Sequence, residues 1–99
     1  MYNVHMSDLS FEWDERKNRE NKRRHGVSFE EAQTVFLDER ALRFYDPDHS
    51  ADEDRFILLG LSFALRELVV CHCYRAGGSV IRIISARRAT RREAAAYRR

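Results

Sequence analysis

The sequence has little of several residue types, and each shortage excludes a class of protein. One proline and four glycines among 99 residues are too few for a flexible linker, a collagen-like repeat or a low-complexity tail. No apolar run approaches the roughly 18 residues of a membrane-spanning helix, and the N-terminus lacks the charged-then-apolar pattern of a signal peptide. We therefore expect a cytoplasmic protein without membrane contact. Residues 11–99 are predicted to form one domain, preceded by an extension or short strand at 1–10.

Cysteine is also scarce. The only two, Cys71 and Cys73, lie two positions apart in a stretch that reads as a strand, which is a poor geometry for a disulfide. His72 between them invites a metal interpretation, but no second ligand pair occurs at a usable spacing. We expect neither a metal site nor a cofactor, and interpret both cysteines as small buried hydrophobes.

Charge is plentiful but unevenly distributed. The net charge is only +2, although Lys, Arg, Asp and Glu together make up 34% of the residues. Segment 14–25 has six Lys or Arg against three acids, segment 38–55 has seven acids against three Arg, and segment 82–99 has seven Arg against one Glu. Two basic segments around an acidic one predict a surface with a cationic side, suited to RNA, DNA or an acidic protein. The alternative is that the Arg-rich helices are simply solvated.

The pattern of caps and apolar residues predicts an α+β domain in the order β-α-α-β-β-β-β-α. A helix from Asp14 to His25 ends at Gly26, and Ser28 and Thr90 each begin a capping-box pattern. Strands are predicted near residues 11–13, 41–45, 55–62, 67–75 and 79–86. The short connections favour a four-stranded, mostly antiparallel sheet with two N-terminal helices and a C-terminal helix.

The most informative stretch is the last predicted hairpin. A two-residue Gly-Gly turn would place Arg82 opposite Cys73 and mix polar and apolar groups on both faces. A three-residue loop shifts the register by one, so that His72 faces Arg82 and Tyr74 faces Val80. We predict the second register, because the first would bury Arg82 without a partner, which costs several kcal/mol.

In that register, one sheet surface carries the groups that RNA cleavage needs. His72 and Tyr74 could transfer protons, Arg82 could stabilise charge on the phosphate, and Arg75 and Arg87 lie at either end. The hypothesis requires Arg82 and Arg87 to face one site without being held by internal carboxylates. The alternative is a cross-strand polar pair on a solvated face.

Four stretches, taken together, resemble the BrnT toxin family, also known as the DUF497 domain. They are Phe11-Glu12-Trp13-Asp14-x-x-Lys17; Asn21-x-x-Arg24-His25-Gly26-Val27-x-Phe29-x-x-Ala32; Asp54-Arg55-Phe56 followed by Gly60; and Ile81-Arg82-Ile83-Ile84-Ser85-Ala86-Arg87-x-Ala89-Thr90-x-x-Glu93-x-x-x-Tyr97. The resemblance spans residues 11 to 97, and its last motif is the most specific. One departure is Arg24, where the family usually has lysine.

The resemblance implies a RelE-like fold and a metal-independent endoribonuclease that uses the RNA 2′-OH and slows translation. It also implies neutralisation by a BrnA-type antitoxin, with operator DNA bound only through the toxin–antitoxin complex. Carried onto this chain, the matching catalytic positions are Arg75, Arg82 and Arg87, with His25, Trp13 and Glu93 as support.

Several of these residues also have simpler interpretations. His25 could cap its own helix, Glu93 could be a capping carboxylate, and Trp13 could belong to the core. The residues predicted to bind RNA are Lys22, Arg24, Trp13, Arg91 and Arg92. A nucleic-acid-binding module without catalysis, or a protein-interaction domain, remains an alternative to the nuclease.

Overall fold

Six strands within the described part of the chain form one mixed sheet. The computed structural model describes residues 2–6 and 9–99, with side chains from residue 9 onward. The strands are β1 (Tyr2–Met6), β2 (Leu9–Trp13), β3 (Leu42–Tyr45), β4 (Phe56–Leu61), β5 (Glu67–Arg75) and β6 (Val80–Arg88). Their order across the sheet is β1-β2-β6-β5-β4-β3. Strands β2 and β6 run parallel, and the other neighbouring pairs are antiparallel.

The α+β class is as predicted, but the four-stranded sheet is wrong. The short Phe11–Trp13 stretch extends to Leu9 and lies beside β6, and β1 adds a further strand outside it. The sequence could not show this, because residues 1–10 have no regular alternation and a parallel neighbour needs no turn signal. Of the predicted 1–10 segment, residues 1, 7 and 8 lie outside the described residues.

Three helices begin at the predicted caps. They are α1 (Glu15–His25), α2 (Phe29–Thr34) and α3 (Arg91–Tyr97), with short 3₁₀ turns at Val35–Leu37, Pro47–His49 and Ala76–Gly78. The Asp14 carboxylate accepts the first N–H groups of α1, and Gly26 ends that helix with φ of +71°. Thr90 and Glu93 form a complete capping box on α3. None of the helices among the described residues is long and apolar enough to cross a membrane.

One face of the sheet carries the hydrophobic core. We call it the core face; Leu58, Val70 and Ile83 mark it on β4, β5 and β6. Helix α2 packs Phe29 and Ala32 into the same cluster. The opposite face, marked by Ile57, Val69 and Cys71, carries a cavity and is called the cavity face.

The β5–β6 hairpin does not have the predicted register. Arg75 pairs with Val80 and Cys73 with Arg82, as a two-residue Gly-Gly turn would arrange them. A bulge at Ile84 shifts the pairing further along, where Cys71 meets Ser85. The prediction considered β5 and β6 alone, and within that pair only the other register gave Arg82 a polar neighbour. The structure supplies the partner from the third strand, where Glu12 of β2 lies beside Arg82 at 2.9 Å.

Candidate functional site

A cavity of about 230 Å³ lies on the cavity face, between the end of α1 and the segment that follows β3. Its floor comes from three strands, and its rim carries two histidines and two arginines. The lining residues used below are His25, Asp46, His49, Arg55, Cys71 and Arg87. Concave sites with a few convergent polar groups are the usual form of a small binding site.

His49 and Asp46 form a dyad on the rim. They lie three residues apart in the short turn after β3, and the His49 Nδ1 is 2.9 Å from a carboxylate oxygen of Asp46. The Asp46 side chain is largely buried, whereas that of His49 is 67% exposed. In a neutral imidazole, a carboxylate partner at Nδ1 favours the tautomer with the proton on Nδ1, and that tautomer leaves the Nε2 lone pair for an outside group. The dyad can therefore accept a proton at Nε2.

Arg55 lies at the opposite end of that loop and lines the same cavity. Its backbone is fixed, since Asp46 N–H donates to Arg55 O at 2.9 Å and Arg55 N–H donates to Ser50 Oγ at 2.9 Å. Its Nε is buried and has no hydrogen-bond partner within residues 9–99. A buried guanidinium nitrogen without a partner is costly, which an anion in the cavity would relieve.

Arg87 reaches the cavity from β6 while it is held by Glu93. Its Nη1 and Nη2 donate to the two carboxylate oxygens at 2.8 and 2.9 Å. The Arg87 hydrogen bond is the main cause that lowers the pKa of Glu93 to about 2, so this pair is ionised at all physiological pH values. Among the described residues Glu93 occupies only one edge of the guanidinium. The Nε–H and one Nη2–H remain for a phosphate oxygen.

His25, the last residue of α1, completes the rim. A basic shoulder adjoins it, because Lys17 and Arg24 lie with His25 around the neighbouring depression beside Ile84. The departure from the family's lysine at Arg24 therefore keeps a positive charge next to the cavity. Lys22 faces the other side of α1, near Glu30.

Cys71 lines the cavity floor as a neutral thiol. Burial raises its pKa above the ordinary value of 9.0. Both cysteines are free, and Cys73 is buried on the same face. The thiol of Cys71 is thus poorly suited to act as a nucleophile at neutral pH.

The predicted hairpin site is divided between the two faces of the sheet. His72 and Tyr74 lie on the core face with Phe56, whereas Arg82 lies on the cavity face. The common surface predicted for His72, Tyr74 and Arg82 is therefore wrong, because the observed pairing differs by one residue from the predicted register, and a one-residue shift moves Arg82 to the other face. Arg82 and Arg87 share a face but lie about 16 Å apart along the strand, at roughly 3.3 Å per residue.

The predicted arginines are also held by carboxylates. Arg82 pairs with Glu12 at 2.9 Å, and Arg75 pairs with Glu53 at 3.2 Å. The sequence hypothesis required Arg82 and Arg87 to be free of such partners, so the cluster as predicted does not assemble. Of its members, His25 and Arg87 alone line the cavity.

His72 is a core residue with an unusual charge state. It is 0% exposed, its Nδ1 lies 3.1 Å from Val70 O, and its Nε2 has no hydrogen-bond partner within residues 9–99. Burial is the main cause that lowers its pKa from 6.5 to about 4. The imidazole is therefore neutral in the fold and unavailable to RNA.

We expect this histidine to make the fold sensitive to mild acid. The unfolded chain binds the proton near pH 6.5 and the folded chain only near pH 4, so stability is full above pH 6.5 and falls as the pH drops towards 4. Between pH 7 and pH 5 the free energy of unfolding should fall by about 2 kcal/mol. Urea unfolding at both pH values checks this. His72→Phe should remove the difference, and an equal fall in that variant would contradict the assignment.

The remaining RNA-binding predictions fall in different places. Trp13 is fully buried, with Nε1 donating to Glu15 at 3.1 Å, so its predicted role as an RNA-facing residue is wrong. It packs edge-on against Phe29. Arg91 and Arg92 are exposed in the first turn of α3, and neither lines the cavity.

The residues that sequence reasoning missed are Asp46, His49 and Arg55. A weak signal was present, since the acidic turn contains an aspartate three residues before a histidine, a spacing that one tight turn closes. Arg55 could not be placed, because its proximity to His25 and Arg87 depends on the folding of four separate segments.

The fold and the cavity together define a class: a small α+β domain whose sheet carries its core on one face and a cation-rimmed cavity on the other. The sequence matches the family described as "Ribonuclease toxin, BrnT, of type II toxin-antitoxin system" over residues 13–93. The structure is similar to the crystal structure of the Brucella abortus ribonuclease toxin, BrnT, with a TM-score of 0.60 and 26% sequence identity, covering 80% of this chain and 94% of that chain. No curated relative matches the chain. The chain belongs to the BrnT family of ribonuclease toxins.

Proposed function

We propose that the chain is an endoribonuclease toxin whose active site is the cavity on the cavity face. The observation that carries this is the convergence of His25, His49, Arg55 and Arg87 around one cavity. The family supplies the expectation of a ribonuclease, and this constellation supplies a proton acceptor, a proton donor and two cations.

Cleavage proceeds through the RNA 2′-OH. His49 Nε2 removes the proton from the 2′-OH, and the 2′-oxygen attacks the adjacent phosphorus. The bond from phosphorus to the 5′-oxygen breaks while His25 donates a proton to that oxygen. The products are a 2′,3′-cyclic phosphate and a 5′-hydroxyl end. Asp46 holds the base in the productive tautomer.

The two arginines stabilise the charge that accumulates on the phosphate oxygens. Arg55 offers a buried nitrogen without a partner, and Glu93 fixes Arg87 so that its free N–H groups are already oriented. Donors held in position before the reaction lose little freedom during it. Lys17 and Arg24 extend the positive path along α1 for the flanking RNA backbone.

In the cell, this cleavage would occur in the cytoplasm, slow translation and be neutralised by a BrnA-type antitoxin. A type II toxin family implies such a protein partner. Operator DNA would be contacted through the toxin–antitoxin complex. The proposed reaction uses no metal ion.

The test is cleavage of an unstructured RNA in EDTA. We expect cyclic-phosphate and 5′-hydroxyl ends, and no cleavage of the same sequence with 2′-O-methyl groups. RNA that is bound in a salt-dependent manner but remains intact would instead favour a non-catalytic module. Cleavage that needs an added metal would contradict the mechanism.

Two arginines of β6 provide a matched comparison. Arg87→Met should lower the cleavage rate by about 10²-fold, the usual loss for one preorganised charge-stabilising donor. Arg82→Met should change it less than about 3-fold, because Arg82 pairs with Glu12 and lies outside the cavity. Initial rates at saturating RNA measure both. A larger loss of cleavage rate for Arg82→Met than for Arg87→Met would indicate that the active site lies on the β5–β6 hairpin instead of at the cavity.

A further inference from the structure

Strand β3 is an edge of the sheet with an unusually apolar exposed surface. All four of its residues are exposed, and Leu42, Phe44 and Tyr45 are 37%, 49% and 52% accessible. Natural sheet edges are commonly protected by charges, bulges or prolines within the strand. The charged residue of the strand, Arg43, lies on the core face over Phe56 and Tyr74. On the cavity face the edge therefore presents only the apolar Leu42 and Phe44, which indicates a surface that another chain covers.

The backbone of β3 is also open on its outer side. Asp46 N–H donates to Arg55 O, and the ladder continues through the pairs Phe44 with Ile57 and Leu42 with Leu59. Hydrogen-bonded and non-bonded pairs alternate in an antiparallel ladder. The N–H and C=O groups of Arg43 and Tyr45 consequently point away from β4, towards an incoming strand.

A cationic groove adjoins the start of β3. Its lining includes Arg40, Leu42, Arg98 and Arg99, around a volume of about 530 Å³. Arg98 is paired with Glu67, while Arg40 and Arg99 have no ion pair within residues 9–99. The charged side chains that line this groove are therefore all arginines.

We propose that β3 is the docking edge for an acidic, extended segment of the antitoxin, which adds a strand to the sheet. Apolar side chains of the antitoxin segment would cover Leu42 and Phe44, and its acidic side chains would pair with Arg40 and Arg99. A second copy of this chain fits less well, because its own β3 carries Arg43, with Arg40 just before it, rather than acids that would meet the arginines of the groove. RNA also fits less well, because it has no peptide backbone to pair with the outward N–H and C=O groups of Arg43 and Tyr45.

This position explains how the partner would block RNA. Strand β3 leads directly into the turn that carries Asp46 and His49, and Phe44 is paired with Ile57 of the cavity floor. A segment over Phe44 would therefore lie at the mouth of the cavity and restrain the His49 turn. The blocking of cleavage rests on the proposed function, whereas the docking itself does not.

The binding test uses the cognate antitoxin, purified separately and titrated into this chain by calorimetry. The double variant Leu42→Asp with Phe44→Asp should weaken binding by about 100-fold or more, as expected for a central apolar contact. The matched control makes the same change in the turn between β4 and β5, Phe63→Asp with Leu65→Asp, where exposure is 73% and 77%. It should change the affinity less than about 3-fold. Equal losses in both variants would overturn the proposal.

Hydrogen exchange of the wild-type chain gives a second readout that needs no variant. In the complex, the amides of Arg43 and Tyr45 should become protected by at least about 10-fold. Unchanged exchange at both amides would exclude strand addition. If the chain alone sediments as a dimer that the β3 variant dissociates, the occupant is a second copy and the proposal is wrong.

RNA cleavage separates the two proposals. The β3 variant should cleave RNA at the wild-type rate and resist inhibition by the antitoxin. If the wild type cleaves no RNA, the proposed function fails, but affinity and exchange still decide the docking. If RNA is cleaved and the antitoxin inhibits the β3 variant as strongly as the wild type, the docking edge is elsewhere.

Discussion

The His49→Ala variant should lose about 10²- to 10⁴-fold in RNA cleavage, the range for removal of a general base. The variant should still fold, because the His49 side chain is 67% exposed, although the loss of a partner for the largely buried Asp46 carboxylate should lower the free energy of unfolding by about 1–3 kcal/mol. The loss should appear in the rate at saturating RNA, with little change in RNA affinity, since the base acts on the bound 2′-OH. Single-turnover cleavage and a separate binding titration measure the two quantities.

A matched pair of aspartates in the same turn provides the control. Asp46→Asn replaces the carboxylate that fixes the His49 tautomer, so its cleavage rate should fall substantially. Asp48 lies two residues after Asp46 and is exposed. Asp48→Asn therefore removes one negative charge from the same turn without touching the dyad, and its cleavage rate should stay within about 3-fold of the wild type. If His49→Ala cleaves like the wild type while His25→Ala does not, the base has been assigned to the wrong histidine.

The hairpin shows which part of the fold sequence reasoning can reach. The strands, the helix caps and the capping box on Thr90 are local, so their residues identify them directly. The register was wrong because the energy argument placed Arg82 against β5 alone. Its carboxylate partner, Glu12, is 70 residues away in sequence and becomes its neighbour only through a parallel pairing.

The candidate site was only partly predictable for a related reason. His25 and Arg87 belong to motifs that resemble the family, and both line the cavity. His49 and Arg55 come from the acidic segment 38–55, in which seven acids accompany three arginines and no motif indicates an RNA site. The structure buries the Asp46 side chain against His49, so the local charge that an RNA would meet differs from the sum over the loop.

Helix α1 illustrates how a polar pattern can be structural. Its sequence lacks an apolar stripe, a pattern typical of a solvated helix or of one that turns a polar face towards a cleft. Its two buried residues, Asn18 and Asn21, instead bind backbone groups. The Asn18 Oδ1 accepts the Phe29 N–H at 2.8 Å, and the Asn21 amide bonds to both backbone groups of Ala86. Asn21 thus takes the place of a neighbouring strand where β6 extends beyond β2.

The second large expected effect is a loss of stability when these hydrogen bonds of Asn21 are removed. Asn21→Ala should lower the free energy of unfolding by about 3–5 kcal/mol, because each buried polar group left without a partner costs about 1–3 kcal/mol. The groups concerned are Ala86 N–H, Ala86 O and Val27 O, at 3.1, 2.8 and 2.8 Å from the amide. Urea unfolding of the variant, beside the wild type, measures the loss.

Lys22→Ala is the matched control, since Lys22 is the next residue of α1 and is exposed. Its effect should stay within about 0.5 kcal/mol, as for most surface substitutions.

Asn21→Asp isolates the amide donor, because it keeps an oxygen for Ala86 N–H but places a carboxylate against two carbonyl oxygens. It should therefore destabilise the fold at pH 7 at least as much as alanine does. A loss below about 1 kcal/mol for Asn21→Ala would mean that water can replace the amide, and that α1 does not depend on this contact to hold His25 beside the cavity.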